Sequence, residues 1–167
     1  MSVLMTISNL IRAVRVRWKR VRLERAARQT GRVFACRVLS GQSEYNLSIN
    51  SDMTVSCNCQ DDGAAGVLGD LSQASLEEIF RGGRASGFRA ALASGRLPIL
   101  TCASCSERMS VDAAEGAKLV RQDAVPTGGI MVENTVACNL RCAACERARV
   151  IRSRRRRQMS LDDICRI

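Results

Sequence analysis

The stretch Glu133–Arg147, ENTVACNLRCAACER, decides how the rest of the chain is read. It sets Cys138, Cys142 and Cys145 in the order C-x3-C-x2-C. Three thiolates are one short of the tetrahedral set of a structural zinc ion, and an odd number cannot all pair as disulfides. The spacing raises the question of what uses three thiolates and leaves a fourth position open, with an incomplete zinc site or a chance cluster as the plain alternative. Just upstream, GIMVENT (129–135) has the apolar content of a buried strand and runs straight into the three-cysteine loop.

The wider composition narrows the chemistry. The chain has 167 residues, nine cysteines and no histidine. No early apolar run has the length of a signal-peptide core, and no segment has the length and apolarity to cross a bilayer, so a cytoplasmic protein is expected. Thiols in such a compartment stay reduced, which makes a disulfide framework a poor reading and metal ligation a good one. Without histidine, the available sites are all-thiolate: four-cysteine zinc or iron–sulfur. Aromatic residues make up 3% of the chain, so the core is built from Ala, Val, Leu and Ile.

A second group of cysteines lies upstream. Cys57-x-Cys59 and Cys102-x2-Cys105 form two pairs, one after a predicted hairpin and one on the tight knuckle TCASC. Paired cysteines on turns let short segments supply two ligands each, so a metal can tie the hairpin to the distant knuckle. Cys36 is a spare candidate.

The secondary-structure signals are local. YNLSIN (45–50) and MTVSC (53–57) predict two strands around a turn at Ser51-Asp52. Ser75 with Glu78 is a capping box that starts a helix through Ile79 and Phe80. Residues 85–94 predict a helix closed by Gly95, and residues 111–122 predict another. Ser160 with Asp163 caps a last helix. Residues 3–28 predict an amphipathic helix with an apolar stripe of Leu4, Ile7, Ile11, Val14, Trp18 and Val21 beside Arg12, Arg15, Lys19 and Arg22. Such a basic helix can make peripheral contact with a membrane or serve as a transit peptide. Docking on its own domain is the expected role.

The segment 36–105 resembles the SPASM domain, the auxiliary iron–sulfur module of radical S-adenosylmethionine enzymes. The residues that carry the likeness are Cys36 with Gly41 after it, INSDMTVSC, LGDL (68–71), SLEEIF (75–80), the helix holding FRAAL, and CASC. Met53 stands where a glycine is usual, Cys59 is extra, and later cysteines of a two-cluster module are missing. The resemblance implies one auxiliary [4Fe–4S] cluster on Cys57, Cys102, Cys105 and a fourth ligand, with Cys59 expected ahead of Cys36. Zinc at that site remains the alternative.

The three-cysteine loop resembles the signature of the radical S-adenosylmethionine (radical SAM) superfamily, with VENT before it and Asn139-Leu140-Arg141 within it. That likeness implies a second [4Fe–4S] cluster on Cys138, Cys142 and Cys145, whose fourth iron binds S-adenosyl-L-methionine. It also implies reductive cleavage to a 5'-deoxyadenosyl radical, hydrogen abstraction from an unknown substrate, and an electron donor protein as partner. Ala144 stands where the family usually has an aromatic residue.

The family fold is a partial (β/α)6 barrel, and each βα repeat takes about 30 residues. Only 22 residues follow Cys145. The expectation is an α+β chain that begins a longer enzyme and lacks complete catalysis. It divides into a basic helix at 1–32, a SPASM-like module at 33–124 and the truncated start of a barrel at 125–167. The alternative is a non-enzymatic four-cysteine metal module.

Charge is concentrated at two places. Residues 1–32 carry nine Lys/Arg and one acid, and residues 141–157 carry eight Arg and one acid, within a net charge of +10. Nucleic acid is an alternative partner for these segments. It is not the expected one, because aromatic residues for base stacking are almost absent. RSRRRR (152–157) is expected to be a solvated loop, with a grip on an anionic substrate as the other reading.

Overall fold

The computed structural model describes the chain except Met1, Ser2, Tyr45, Asn46, Gln60, Asp62, Gln122, Asp123, Thr127, Arg141, Ala143, Ala144 and Glu146, and describes Val3–Asn9 by backbone alone. The architecture is mixed α+β with two small sheets, and no closed barrel is present among the described residues.

Helix α1 spans Val3–Thr30 and ends at Gly31, whose φ of 67° supplies the left-handed turn that stops it. At about 100° per residue, its apolar side chains fall on two opposite faces. Val16, Leu23 and Ala27 form the face that docks on the core, and Glu24 Oε1 accepts a 2.9 Å bond from the Leu97 N–H. Ile11, Val14, Trp18 and Val21 form the other face, which is exposed; Trp18 is 67% exposed. Docking occurs, but through a stripe opposite the one the sequence pattern brings forward. Of Leu4 and Ile7 only the helical backbone is described.

The first sheet pairs β1 (Val33–Cys36) antiparallel with β5 (Arg108–Val111), setting Cys36 opposite Arg108. The second has β2 (Ser48–Ile49), β3 (Thr54–Ser56), β4 (Val67–Asp70) and β6 (Met131–Val132) in the order β4-β3-β2-β6. The expected hairpin is there in shortened form, and Tyr45 and Asn46 lie outside the described residues. β6 runs parallel to β2 at the edge of that sheet, so the sheet crosses the expected boundary at 124/125. The expected buried strand over 129–135 is a correction: Met131 and Val132 are 49% and 42% exposed. The strand lies at the sheet edge among the described residues, and its two side chains are left uncovered.

Helix α2 (Leu76–Arg81) starts at the Ser75–Glu78 capping box, with both reciprocal bonds made. Helix α3 covers Gly83–Ala93, and Gly95 follows at φ 71°. Helix α4 is shorter than predicted, Ala113–Val120, because Val111 belongs to β5 and the Asp112 side chain caps the helix. The helices α5 (Arg147–Ser153) and α6 (Leu161–Arg166) close the chain, α6 behind the Ser160–Asp163 capping box. A core of Phe34, Val38, Leu47, Val55, Ile79, Phe80, Leu92 and Leu97 joins the two sheets to α2 and α3. Among the described residues, no helix is long and apolar enough to cross a membrane.

Candidate metal centre

Three separate segments bring cysteines to one end of this core. Cys36 closes β1 and opens a tight turn in which the Ser40 N–H donates to Cys36 O at 3.1 Å and the Gln42 N–H to Arg37 O at 2.8 Å. Gly41 takes φ 73° there, and a Cβ on it would lie 2.8 Å from Ala124 O. Buried Arg89 braces the turn, donating to Leu39 O at 2.9 Å and to Phe80 O at 2.6 Å. Cys57 follows β3, and its N–H donates to Gly66 O at 2.9 Å. A side chain at Gly66 would strike the Cys57 sulfur, its Cβ 2.7 Å away. Cys102 sits in a 3-10 turn, Leu100–Ala103, and Cys105 just beyond it. Arg108 Nε donates to Cys102 O at 3.0 Å and steadies the knuckle.

Cys36, Cys57 and Cys102 are all held above the ordinary thiol range. Burial pushes Cys36 up to about 12; the backbone at Leu39 and Val38 draws it down, while Cys105 and Cys102 push it further up. Burial also raises Cys57 well above the ordinary thiol range, and Cys36, Cys102, Asp61 and Cys105 add to the rise. Cys102 is raised by burial and by Cys105, against the pull of the Ile99 backbone, Arg108 and Arg20. Asn58 Nδ2 donates to Cys105 Sγ at 3.1 Å. Cys59 is half-buried on the adjoining turn. All nine cysteines are free of disulfides. Among the described residues, no three Cys, Asp or Glu side chains are gathered tightly enough to form a metal-ion group as placed.

Asp61 belongs to this environment and went unnoticed in the sequence. It is 4% exposed. Its Oδ2 accepts from the Gly66 N–H at 2.7 Å and from Ser56 Oγ at 3.3 Å, while Oδ1 has no partner among the described residues. A carboxylate in a Gly-rich loop reads as a turn residue, and only the fold of 61–66 back onto Cys57 buries it.

The three-cysteine loop is arranged differently. Cys138, Cys142 and Cys145 are exposed. The Cys145 N–H donates to Cys142 O at 3.1 Å, and the Leu140 N–H to Cys138 Sγ at 3.4 Å. Arg147, the first residue of α5, donates to the carbonyls of Cys138 and Leu140. Arg141 and Ala144 lie outside the described residues.

The arginine run is solvated only in part: Arg155, Arg156 and Arg157 are exposed, yet the run is tied to the rest of the chain by ion pairs. Arg154 forms a forked pair with Glu133, and its side chain is 4% exposed. Arg155 meets Asp70 at 2.5 Å and Asp52 at 3.7 Å, and Arg156 meets Asp163 at 2.9 Å. Ser51 Oγ donates to Arg156 O at 2.9 Å, so the run grips the turn of the β2–β3 hairpin.

No protein-family model, no curated protein and no solved structure matches this chain.

Proposed function

We propose that this chain is an iron–sulfur protein of the radical SAM type, with an auxiliary [4Fe–4S] cluster held by Cys57, Cys102, Cys105 and a fourth thiolate. The observation that carries the proposal is geometric: Cys36 stands opposite Arg108 across β1 and β5, Arg108 bonds the Cys105 and Cys102 carbonyls, and Asn58, next to Cys57, donates to Cys105 Sγ at 3.1 Å. Thiolates, not thiols, ligate metal, and crowding four of them in a buried place is costly until a cationic centre offsets their charge. The all-sulfur donor set fits iron–sulfur and zinc alike. Cys36, which β1–β5 pairing sets opposite Arg108 of the knuckle, is favoured over Cys59 as the fourth ligand.

In this reading Cys138, Cys142 and Cys145 hold the second cluster, where exposure leaves room for S-adenosyl-L-methionine. When bound there, the cluster supplies an open iron and one electron for reductive cleavage of S-adenosylmethionine, with an electron donor protein and an unknown substrate as partners. Arg147 fixes the backbone of the loop through the carbonyls of Cys138 and Leu140.

A second reading, a non-enzymatic four-cysteine zinc module, is favoured by one feature. Cys36, Cys57, Cys102 and Cys105 would supply four ligands without drawing on the three-cysteine loop. Nucleic-acid binding through the arginine run finds less support, since Arg154, Arg155 and Arg156 are engaged in ion pairs within the chain.

The test is anaerobic purification and reconstitution, followed by iron, zinc and acid-labile sulfide analysis. About eight irons per chain with matching sulfide supports both clusters. About four supports the auxiliary site alone. About one zinc without sulfide overturns the iron–sulfur reading and leaves the zinc module.

A further inference from the structure

Helix α1 has a surface that the metal chemistry does not use. Its docked face, Val16, Leu23 and Ala27, is turned to the core, and on the opposite side Leu10, Ile11, Val14, Trp18 and Val21 are 46–67% exposed. These five cover three turns, about 18 Å along the axis. At about 100° per residue, Arg15 and Arg22 fall along one edge of the stripe and Arg17 and Arg28 along the other. All four are exposed. The sole acid of the helix, Glu24, borders the Arg17 and Arg28 edge, but its carboxylate is engaged by the Leu97 N–H and Arg20.

We infer that this face of α1 is a docking surface for an anionic phospholipid membrane, with the helix lying parallel to the interface. Charge complementarity selects the occupant. A second copy of the chain would set one cationic rim against another, at a repulsive cost. Nucleic acid would satisfy the arginines but leave the apolar stripe against phosphate. An anionic bilayer surface satisfies both parts, with headgroups at the rim and acyl boundary beneath the stripe. Tryptophan at the centre suits the depth where apolar and polar surroundings meet. Because the docked face lies on the far side, the helix can bind a surface without leaving its own domain.

Trp18 is the single tryptophan, so its emission reports on this face alone. The experiment mixes the full chain with vesicles of phosphatidylcholine, or of equal parts phosphatidylcholine and phosphatidylglycerol. The expected result is co-sedimentation and a blue shift of Trp18 on the mixed vesicles, with neither on pure phosphatidylcholine. Ile11→Ser with Val14→Ser should weaken vesicle affinity about tenfold or more, and Arg15→Gln with Arg22→Gln should weaken it and flatten its salt dependence. Circular dichroism checks that the variants keep their helix. Quenching of Trp18 by bromine-labelled acyl chains tests the unmutated protein directly, and strong quenching is expected. Emission unchanged by anionic vesicles overturns the inference. So does full affinity in the Ile11/Val14 variant, or a lipid-free blue shift that grows with protein concentration and assigns the face to a second copy.

Discussion

Arg154 lays its guanidinium fork on the carboxylate of Glu133, Nε to Oε1 at 2.8 Å and Nη2 to Oε2 at 3.1 Å. The same Oε1 accepts the Ser51 N–H at 3.1 Å. One carboxylate thus joins the residue following β6, the tip of the β2–β3 hairpin and the arginine run. Glu133→Ala should leave Arg154 buried without its partner, at a cost of about 3 kcal/mol. The measurement is denaturant unfolding together with limited proteolysis, and cleavage should rise first across 147–160. Unfolding at an unchanged midpoint would show that the pair contributes nothing.

Asp52 predicts an acid dependence at the same place. Burial works to raise its pKa, but the Thr54 hydroxyl, the Arg155 and Thr54 N–H groups and the Arg155 charge together hold it below 3.8. Asp70 is held down likewise: burial raises it, and Ser72 and Arg155 outweigh that. A carboxylate depressed in the fold stabilises it above its unfolded pKa and loses that contribution as pH falls through the folded value. The arginine run should therefore loosen from the hairpin below pH 3.8 and stay firm at neutral pH. Hydrogen exchange at Arg155 and Met159, followed against pH, checks this. Arg155→Ala should shift the onset upward. Arg155 is 61% exposed, so added salt should weaken the effect.

Met53 takes φ 67° in the hairpin turn, yet it is fully buried against Ile49 and Met159. A left-handed residue with a Cβ costs about 1 kcal/mol, and burying methionine gains about 2 kcal/mol. Met53→Gly should relax the turn and still destabilise the protein by about 1 kcal/mol, through loss of the contact with Met159. Thermal unfolding decides it, and a raised Tm would mean that strain outweighs packing.

Gly69 in β4 has no room for a side chain, because a Cβ would meet Ile79 Cγ1 at 2.7 Å. Gly69→Ala should push α2 from the sheet at about 1–3 kcal/mol. An unchanged unfolding midpoint would mean that α2 shifts at no cost.

The two candidates for the fourth ligand separate by substitution. Cys36→Ser should lower the iron or zinc bound at the four-thiol site, and Cys59→Ser should leave it unchanged. Metal analysis of both variants reads the result directly, and the reverse pattern would assign the position to Cys59.

Much of this protein was legible in its sequence where the governing chemistry is local. Both capping boxes, Ser75–Glu78 and Ser160–Asp163, form as their spacing dictates, because a cap needs only its own four residues. The hairpin turn and the helical character of α1 through α4 follow from equally short-range preferences. The cysteine pairs announce themselves by spacing. What spacing cannot show is that Cys36 comes beside the knuckle, which happens because β1 pairs with β5 and sets Cys36 opposite Arg108. On α1 the periodicity brings forward the stripe of Ile11, Val14, Trp18 and Val21, and the packed core takes the opposite one, Val16, Leu23 and Ala27. Arginines written as a run look solvated. Their partners, Glu133, Asp52, Asp70 and Asp163, are scattered along the chain, and tertiary folding alone sets them within reach.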